Sequence, residues 1–347
     1  MTAGSRLYLV TGGAGFIGAS LVRALEARGD RVRVLDSGRA AGARYLTGTA
    51  AEIVPADIAE PGIAAAAVKG VDAIVHLAAR TSVPASMEAP LADLRDNVLA
   101  AVTVLDAARV EGVQRFVFAS SNATVGLMAP PAREDILPRP VSPYGAAKLA
   151  FEGYLQAYHH GYGMTTTALR FSNAYGPYSL HKGSVVATFI RECLEGRPLV
   201  IHGDGDQTRD LVHVDDLVAL MLLALDAPAG LVGGEVFQAG TGKETTVREL
   251  AETVLELCGG GGRIEHLPAR RGDVLRNVSA ISKARDMLGY MPRVELRQGL
   301  AQTVAWFREA LRDAAPGEAS APAGDPDRGS DAVSGSDAVS GSASGSD

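Results

Sequence analysis

The sequence predicts an α/β protein, a Rossmann-type doubly wound parallel sheet with a smaller C-terminal lobe. Three observations predict it. Short apolar runs alternate with helix-spaced stretches through about residue 170. The first of those runs ends in a glycine-rich turn, TGGAGFIG, at 11–18. After residue 170 the rhythm loosens into shorter elements.

Residues 6–10 form the first apolar run and read as a strand. Residues 19–28 then carry Leu21, Val22 and Leu25 on one helical face. Residues 31–35 alternate as a second strand, and 53–54, 73–77 and 115–119 are further short apolar runs bounded by turn signals. Helical stretches at 99–110 and 144–158 lie between and after them. Strands interleaved with helices give a parallel sheet covered on both faces. Beyond it, Gly176–Pro177, Gly196 to Pro198 and Gly203 to Gly205 punctuate the chain, and helical patterns return at 185–194, 214–225, 246–257 and 296–311. The expected organisation is a first domain over 1–170 and a lobe over 171–313, with some chain returning to the first domain. Residues 314–347 are rich in Ala, Gly, Ser, Pro and Asp, lack aromatics and repeat DAVSGS in tandem. Such a tail buries too little apolar surface to offset its ordering entropy, so disorder is expected.

The 347 residues are 47% hydrophobic and 21% charged, ordinary for a chain able to bury a sizeable core. Net charge is −7, and the tail carries six acids against one arginine, so a basic nucleic-acid-binding face is not expected. Cys193 and Cys258 give neither a disulfide framework nor metal-ligand spacing, and no metal is expected. No basic segment precedes an apolar run at the N-terminus, and no stretch of about 20 apolar residues occurs. A cytoplasmic protein without a membrane span is the expectation.

Gly12, Gly15 and Gly18 are spaced G-x-x-G-x-x-G between a strand and a helix. A dinucleotide pyrophosphate needs close access to backbone N–H groups at a helix N-terminus, which a Cβ in the turn blocks. Asp36, at the end of the second strand, suits the ribose hydroxyls of NAD and repels a 2′-phosphate, although Arg39 and Arg44 follow closely. Tyr144 and Lys148 stand at Y-x-x-x-K spacing near the start of a helix, on one face. A phenol is a poor base at neutral pH unless neighbouring positive charge stabilises its phenolate. Alone, this pair is a common surface arrangement; behind a dinucleotide turn it reads as a base and its partner.

With Asp57–Ile58, HLAA at 76–79, Asn97–Val98, SSNATVG at 120–126, SPYGAAK at 142–148, LRFSNAYGP at 169–177 and TRDLVHVDDL at 208–217 also in order, residues 6–312 resemble the extended short-chain dehydrogenases/reductases. In particular they are similar to the NAD-dependent sugar-nucleotide epimerase/dehydratase family. The resemblance implies an NAD site lined by Gly12, Gly15, Phe16, Ile17, Gly18 and Asp36, with Asp57 and Ile58 on the adenine. It implies that His76, Leu77, Ala78 and Ala79 lie beneath the cofactor and that Asn97 braces the helix carrying the active site. Tyr144 is then the base, Lys148 its partner, and Asn173, Val186, Arg209 and Arg270 contact a nucleotide-sugar substrate. A homodimer through helices 99–110 and 144–158 is also implied.

The family's catalytic Ser or Thr position holds Asn122, with Ser121 adjacent. Asn can hydrogen-bond a sugar hydroxyl but cannot relay a proton as a hydroxyl does. Dehydratases of the family carry an Asp–Glu pair, and decarboxylases a Glu, where Ala123 and Thr124 stand. The reaction implied is 4-epimerisation of a UDP-sugar. The alternatives are an NAD-dependent dehydrogenase, suggested by SSN at 120–122; a dehydratase or decarboxylase; or a dinucleotide-sensing protein without chemistry. Elsewhere, His159 and His160 read as solvent-facing, His76 as packed in its strand, and His213 as a loop former. Trp306 and Phe307 read as core, and His181 and Lys182 as loop residues near the substrate mouth.

Overall fold

The computed structural model describes residues 5–38, 42–269 and 275–313. Seven parallel strands form the main sheet: β1 (Leu7–Thr11), β2 (Arg31–Asp36), β3 (Glu52–Pro55), β4 (Ala73–His76), β5 (Arg115–Ser121), β6 (Thr165–Phe171) and β7 (Glu235–Ala239). Their spatial order is β7-β6-β5-β4-β1-β2-β3, so the order reverses between β1 and β4. In such a sheet the ligand crevice lies at that reversal, beyond the carboxyl ends of the strands.

The central strands β1, β4 and β6 are buried along their whole length because both faces are covered. Along β1, Tyr8 and Val10 join a core with Leu21, Val22 and Leu25 of α1 (Phe16–Ala27). Leu7 and Leu9 point the other way, into a second core with Val104 and Leu105 of α2 (Ala100–Glu111) and Phe151 and Leu155 of α3 (Pro143–Tyr162). Period-two alternation of the strand thus supplies two layers at once.

The helix α3 runs longer than the 144–158 expected from the sequence. Ser142 caps its start by accepting from the Gly145 N–H at 3.1 Å, and Gly163, at φ 72°, ends it. His159 is not solvent-facing as expected: its Nδ1 lies 2.8 Å from the Met164 carbonyl, at the point where the helix ends. His160 is exposed. Immediately before α2, Arg95–Leu99 form one wide π-type turn, a feature often found at functional sites.

After β6 the chain alternates between two bodies. The helix α4 (Val185–Leu194) belongs to the lobe, whereas α5 (Val214–Asp226) packs against α1, and β7 adds the seventh strand beside β6. The lobe core forms where α4, strand Leu199–His202, α6 (Val247–Cys258) and α7 (Leu296–Asp313) meet. Phe307 is fully buried there and Trp306 packs against it half-buried. No helix among the described residues is long and apolar enough to cross a membrane, and no metal-holding cluster of His, Cys, Asp or Glu occurs among them.

Candidate active site

The carboxyl ends of the strands gather the residues singled out above. Gly12 follows β1 at φ 70°, in the left-handed region, and a Cβ there would stand 2.7 Å from the Ala78 nitrogen. A Cβ on Gly18 would run into the Gly12 carbonyl oxygen, so α1 can seat against the turn only through glycine. The N-cap of α1 is Gly15, which offers no side-chain acceptor to the first turn. Phe16 turns its ring into the core, leaving its backbone N–H for the turn, and Ile17 is half-buried. Asp36 accepts from the Ala14 N–H at 3.0 Å and the Gly38 N–H at 2.9 Å, so the acid that suits a ribose also organises the glycine turn. This glycine cradle, with a helix N-terminus for the pyrophosphate and a carboxylate for the ribose, fits NAD. Arg39 lies outside the described residues. Arg44 sits over the Tyr45 ring, 5.1 Å from its centroid.

Asp57 accepts from the Ala59 N–H at 2.9 Å, and Ile58 is buried. Leu77 donates to the Thr11 carbonyl at 3.0 Å and Ala78 to the Thr11 hydroxyl at 3.3 Å, laying 77–79 beside the glycine turn. His76 shares a 2.8 Å hydrogen bond with Thr11 and packs among Phe116, Phe118 and Phe151. Burial, and then the Lys148 charge, push its pKa down from 6.5 to about 3, so it is neutral and no base. Between those values the unfolded chain binds the proton and the folded chain does not. His76 therefore contributes stability in full above about pH 6.5, and the contribution is lost progressively as pH falls toward 3. Urea midpoints measured across this window should fall with acidification for the parent and more shallowly for His76→Gln; parallel curves would refute the assignment.

Asn97 is buried and grips both backbone groups of Arg80, accepting from its N–H at 2.8 Å and donating to its carbonyl at 3.0 Å. It also donates to Asp93 at 2.8 Å. It therefore ties the wide turn before α2 to the loop that follows 76–79.

Tyr144 lies in the first turn of α3, and its N–H donates to the Ser86 hydroxyl at 3.2 Å. Ser121, at the end of β5, lies close enough to favour ionisation of the Tyr144 phenol, while the Ser121 hydroxyl oxygen accepts from the Ala123 N–H at 3.1 Å. Burial drives the phenol's pKa up to about 12, against the opposing pull of Ser121, and the Asp93 charge adds to the rise. Lys148, one turn on, donates to the Ala119 carbonyl at 2.9 Å, and its Nζ is 5.8 Å from the Tyr144 ring centroid. Burial lowers the Lys148 pKa to about 7, while Asp93 and Glu152 counteract. The chain's own residues thus do not hold Tyr144 as a phenolate at neutral pH; further positive charge against the ring is required.

The Asn122 side chain is engaged by residues other than Tyr144. Its amide nitrogen donates to Ser172 at 2.9 Å and Ser279 at 2.8 Å, tying β5 to the end of β6 and to residue 279; its amide oxygen is buried without a partner. Beneath the pair, Glu152 receives Arg170 through two bonds, 3.0 and 2.7 Å, and Ser120 at 2.5 Å, all buried. Asn173 is half-buried on a short strand (Asn173–Tyr175) paired with Leu211–His213. Arg209, also half-buried, lies on Thr208–Arg209 and donates to the Thr208 carbonyl at 2.9 Å. Val186 packs in the lobe core at 2% exposure, so its side chain presents almost no surface to a substrate. His213 is buried and its Nδ1 accepts from the Asp215 N–H at 3.2 Å, capping α5. Arg270 falls outside the described residues.

Sequence reasoning passed over three residues. Asp93 is buried within electrostatic reach of both Tyr144 and Lys148, and Ser86 holds the Tyr144 backbone. Asp210 accepts four hydrogen bonds, from the Thr241 N–H and hydroxyl and from the Gly242 and Ser279 N–H groups, fixing the loops around Asn122. Only Asp210 had a signal, its place inside TRDLVHVDDL.

Residues 8–240 match the family described as the NAD dependent epimerase/dehydratase family. The chain belongs to that family. It is 40% identical over 309 residues to the UDP-glucose 4-epimerase of Mycolicibacterium smegmatis, covering 86% of this chain and 98% of that protein. It is also 34% identical over 314 residues to a dTDP-glucose 4,6-dehydratase of Streptomyces niveus, covering 87% of this chain and 92% of the other. Among solved structures, the Thermus thermophilus UDP-glucose 4-epimerase in complex with NAD superposes with a TM-score of 0.81 at 36% identity, covering 88% and 99% of the two chains. The chain is thus an enzyme of the NAD-dependent sugar-nucleotide family.

Proposed function

We propose that the protein interconverts UDP-sugars epimeric at C4. The observation that carries this reading over the dehydratase one is the chemistry beside Tyr144. Where a dehydratase needs carboxyl groups to eliminate water, this chain has Ala123 and Thr124, and Thr124 is fully buried with its hydroxyl donated to the Ser121 carbonyl at 2.8 Å. Neither side chain is an acid or base for elimination, whereas Tyr144 and Ser121 suffice to move one hydroxyl proton.

In this mechanism Tyr144 takes the proton of the sugar's C4 hydroxyl, with Ser121 bonded to the same oxygen. NAD, held by the glycine cradle and Asp36, would supply reversible hydride acceptance at C4. Lys148 contributes positive charge beside the phenol, and Glu152 favours its protonated form. Asn173 and Arg209 anchor the nucleotide end, so binding energy far from C4 keeps the reacting end in place while the sugar turns.

The test incubates the NAD-loaded protein with UDP-glucose, UDP-N-acetylglucosamine and UDP-glucuronate and follows C4 epimers by NMR. An epimer without accumulation of free NADH is expected. A 4-keto-6-deoxy product would establish a dehydratase, and steady NADH release a dehydrogenase. We further infer a homodimer through α2 and α3, because Leu99, Val110, Tyr154 and Tyr162 on and beside them are exposed, Val110 at 71%. Light scattering on the same sample should give twice the chain mass.

A further inference from the structure

The loop between Gly176 and the start of α4 is built to hold one lysine in place. Tyr178 sits at φ 67°, a conformation a non-glycine residue adopts only where the surroundings enforce it. Ser179 donates its hydroxyl to the Gly176 carbonyl at 2.6 Å, and the Lys182 N–H donates to the Ser179 carbonyl at 2.9 Å. From α4, Arg191 clamps the carbonyls on either side of His181, Leu180 at 2.6 Å and Lys182 at 2.8 Å. The backbone of Lys182 is thus fixed from both sides.

Its side chain leaves the lobe and crosses to the other body. The Lys182 ammonium donates to the Thr81 hydroxyl at 2.8 Å, just past the 76–79 segment beside the NAD turn. Its charge is felt by Lys148 and disfavours the protonated form there. It therefore lies within electrostatic reach of Lys148, the partner of Tyr144 one helical turn on. Among the described residues no carboxylate pairs with it; its one side-chain partner is a neutral hydroxyl. An ammonium has three donors and a strong preference for an anion when partly desolvated, so two donors and the charge remain for a ligand. Asp93 and Glu152 favour the Lys148 ammonium, and negative charge brought by a ligand beside Lys182 would further offset the repulsion between the two cations.

We propose that Lys182 pairs with a carboxylate at C6 of the sugar, making it the specificity-determining residue for UDP-hexuronates over neutral UDP-hexoses. The inference rests on the nucleotide-sugar reading above and narrows its substrate class. The diphosphate is the rival anion, but it is common to every UDP-sugar and has Asn173 and Arg209 for partners in that reading.

The experiment measures calorimetric Kd values of the full-length, NAD-loaded protein for UDP-glucuronate and UDP-glucose. The parent should bind UDP-glucuronate more tightly. In Lys182→Met the affinity ratio between the two ligands should fall about 30-fold, as loss of one charge-assisted contact implies, while Lys182→Arg keeps most of it. Should the Met variant fold poorly, Lys182→Gln replaces it. An unchanged ratio, including one in which both ligands weaken together because the ammonium serves the diphosphate, overturns the proposal. The affinity ratio and epimer formation are separate readouts, so the two readings fail separately. A Lys182-dependent ratio without epimer formation defeats only the reaction; epimer formation with an unmoved ratio defeats only the role of Lys182.

Discussion

Tyr144→Phe should lower the rate of epimer formation about a thousand-fold, within the range set by loss of a positioned general base. The substitution removes one oxygen and keeps a ring of nearly the same volume in the buried first turn of α3. NAD content and thermal unfolding should stay close to the parent's, because the Tyr144 backbone remains bonded to Ser86 and the glycine cradle is untouched. A variant retaining more than about a tenth of the parental rate would remove Tyr144 from the chemistry. The companion expectation concerns charge. With burial holding the phenol at about 12 and Lys148 at about 7, ultraviolet titration should find phenolate at a lower pH with NAD present than without it.

Glu152→Ala should have the largest effect on stability, a loss of about 3–5 kcal/mol. Arg170 and Glu152 are 4% and 5% exposed, so removing the carboxylate strands a guanidinium inside the protein. That guanidinium already has one nitrogen, Nη1, buried without a partner. Thermal unfolding should drop by about 10 °C. The double replacement Glu152→Met with Arg170→Met should be milder than Glu152→Ala, since no lone charge is left behind. Equal losses for both variants would mean that packing, not the stranded charge, sets the cost. A shift of less than about 2 °C would mean that water reaches Arg170. Glu152 also lies one turn beyond Lys148 and favours its ammonium, so the variant should lower activity as well as stability.

Much of the site was legible in the chain because its requirements are local. The turn at 12–18 needs glycine for a left-handed backbone and close contact, and both reasons act over a few residues. Tyr144 and Lys148 share a face because a helix repeats every 3.6 residues. Short parallel strands declare themselves as apolar runs, which is enough to place most of the sheet. The last strand, β7, gives no such sign because it is separated from β6 by the lobe segments, and pairing over such a distance leaves no local pattern. Asn122 and Ser121 were indistinguishable as neighbours; the partners of the Asn122 amide, Ser172 and Ser279, lie far along the chain and leave no local sign.

The amino-acid sequence by itself determined the doubly wound sheet, the dinucleotide turn, Asp36 at the second strand's end and the Tyr–Lys spacing, since each follows from backbone stereochemistry or helical and strand periodicity. Only the tertiary structure decided that the Asn122 amide nitrogen is engaged by Ser172 and Ser279, that Glu152 and Arg170 pair in the interior, and that Lys182 reaches Thr81, 101 residues away along the chain. Those contacts arise where separate elements are forced together by burial of their apolar faces, and burial also sets the protonation of Tyr144, Lys148 and His76.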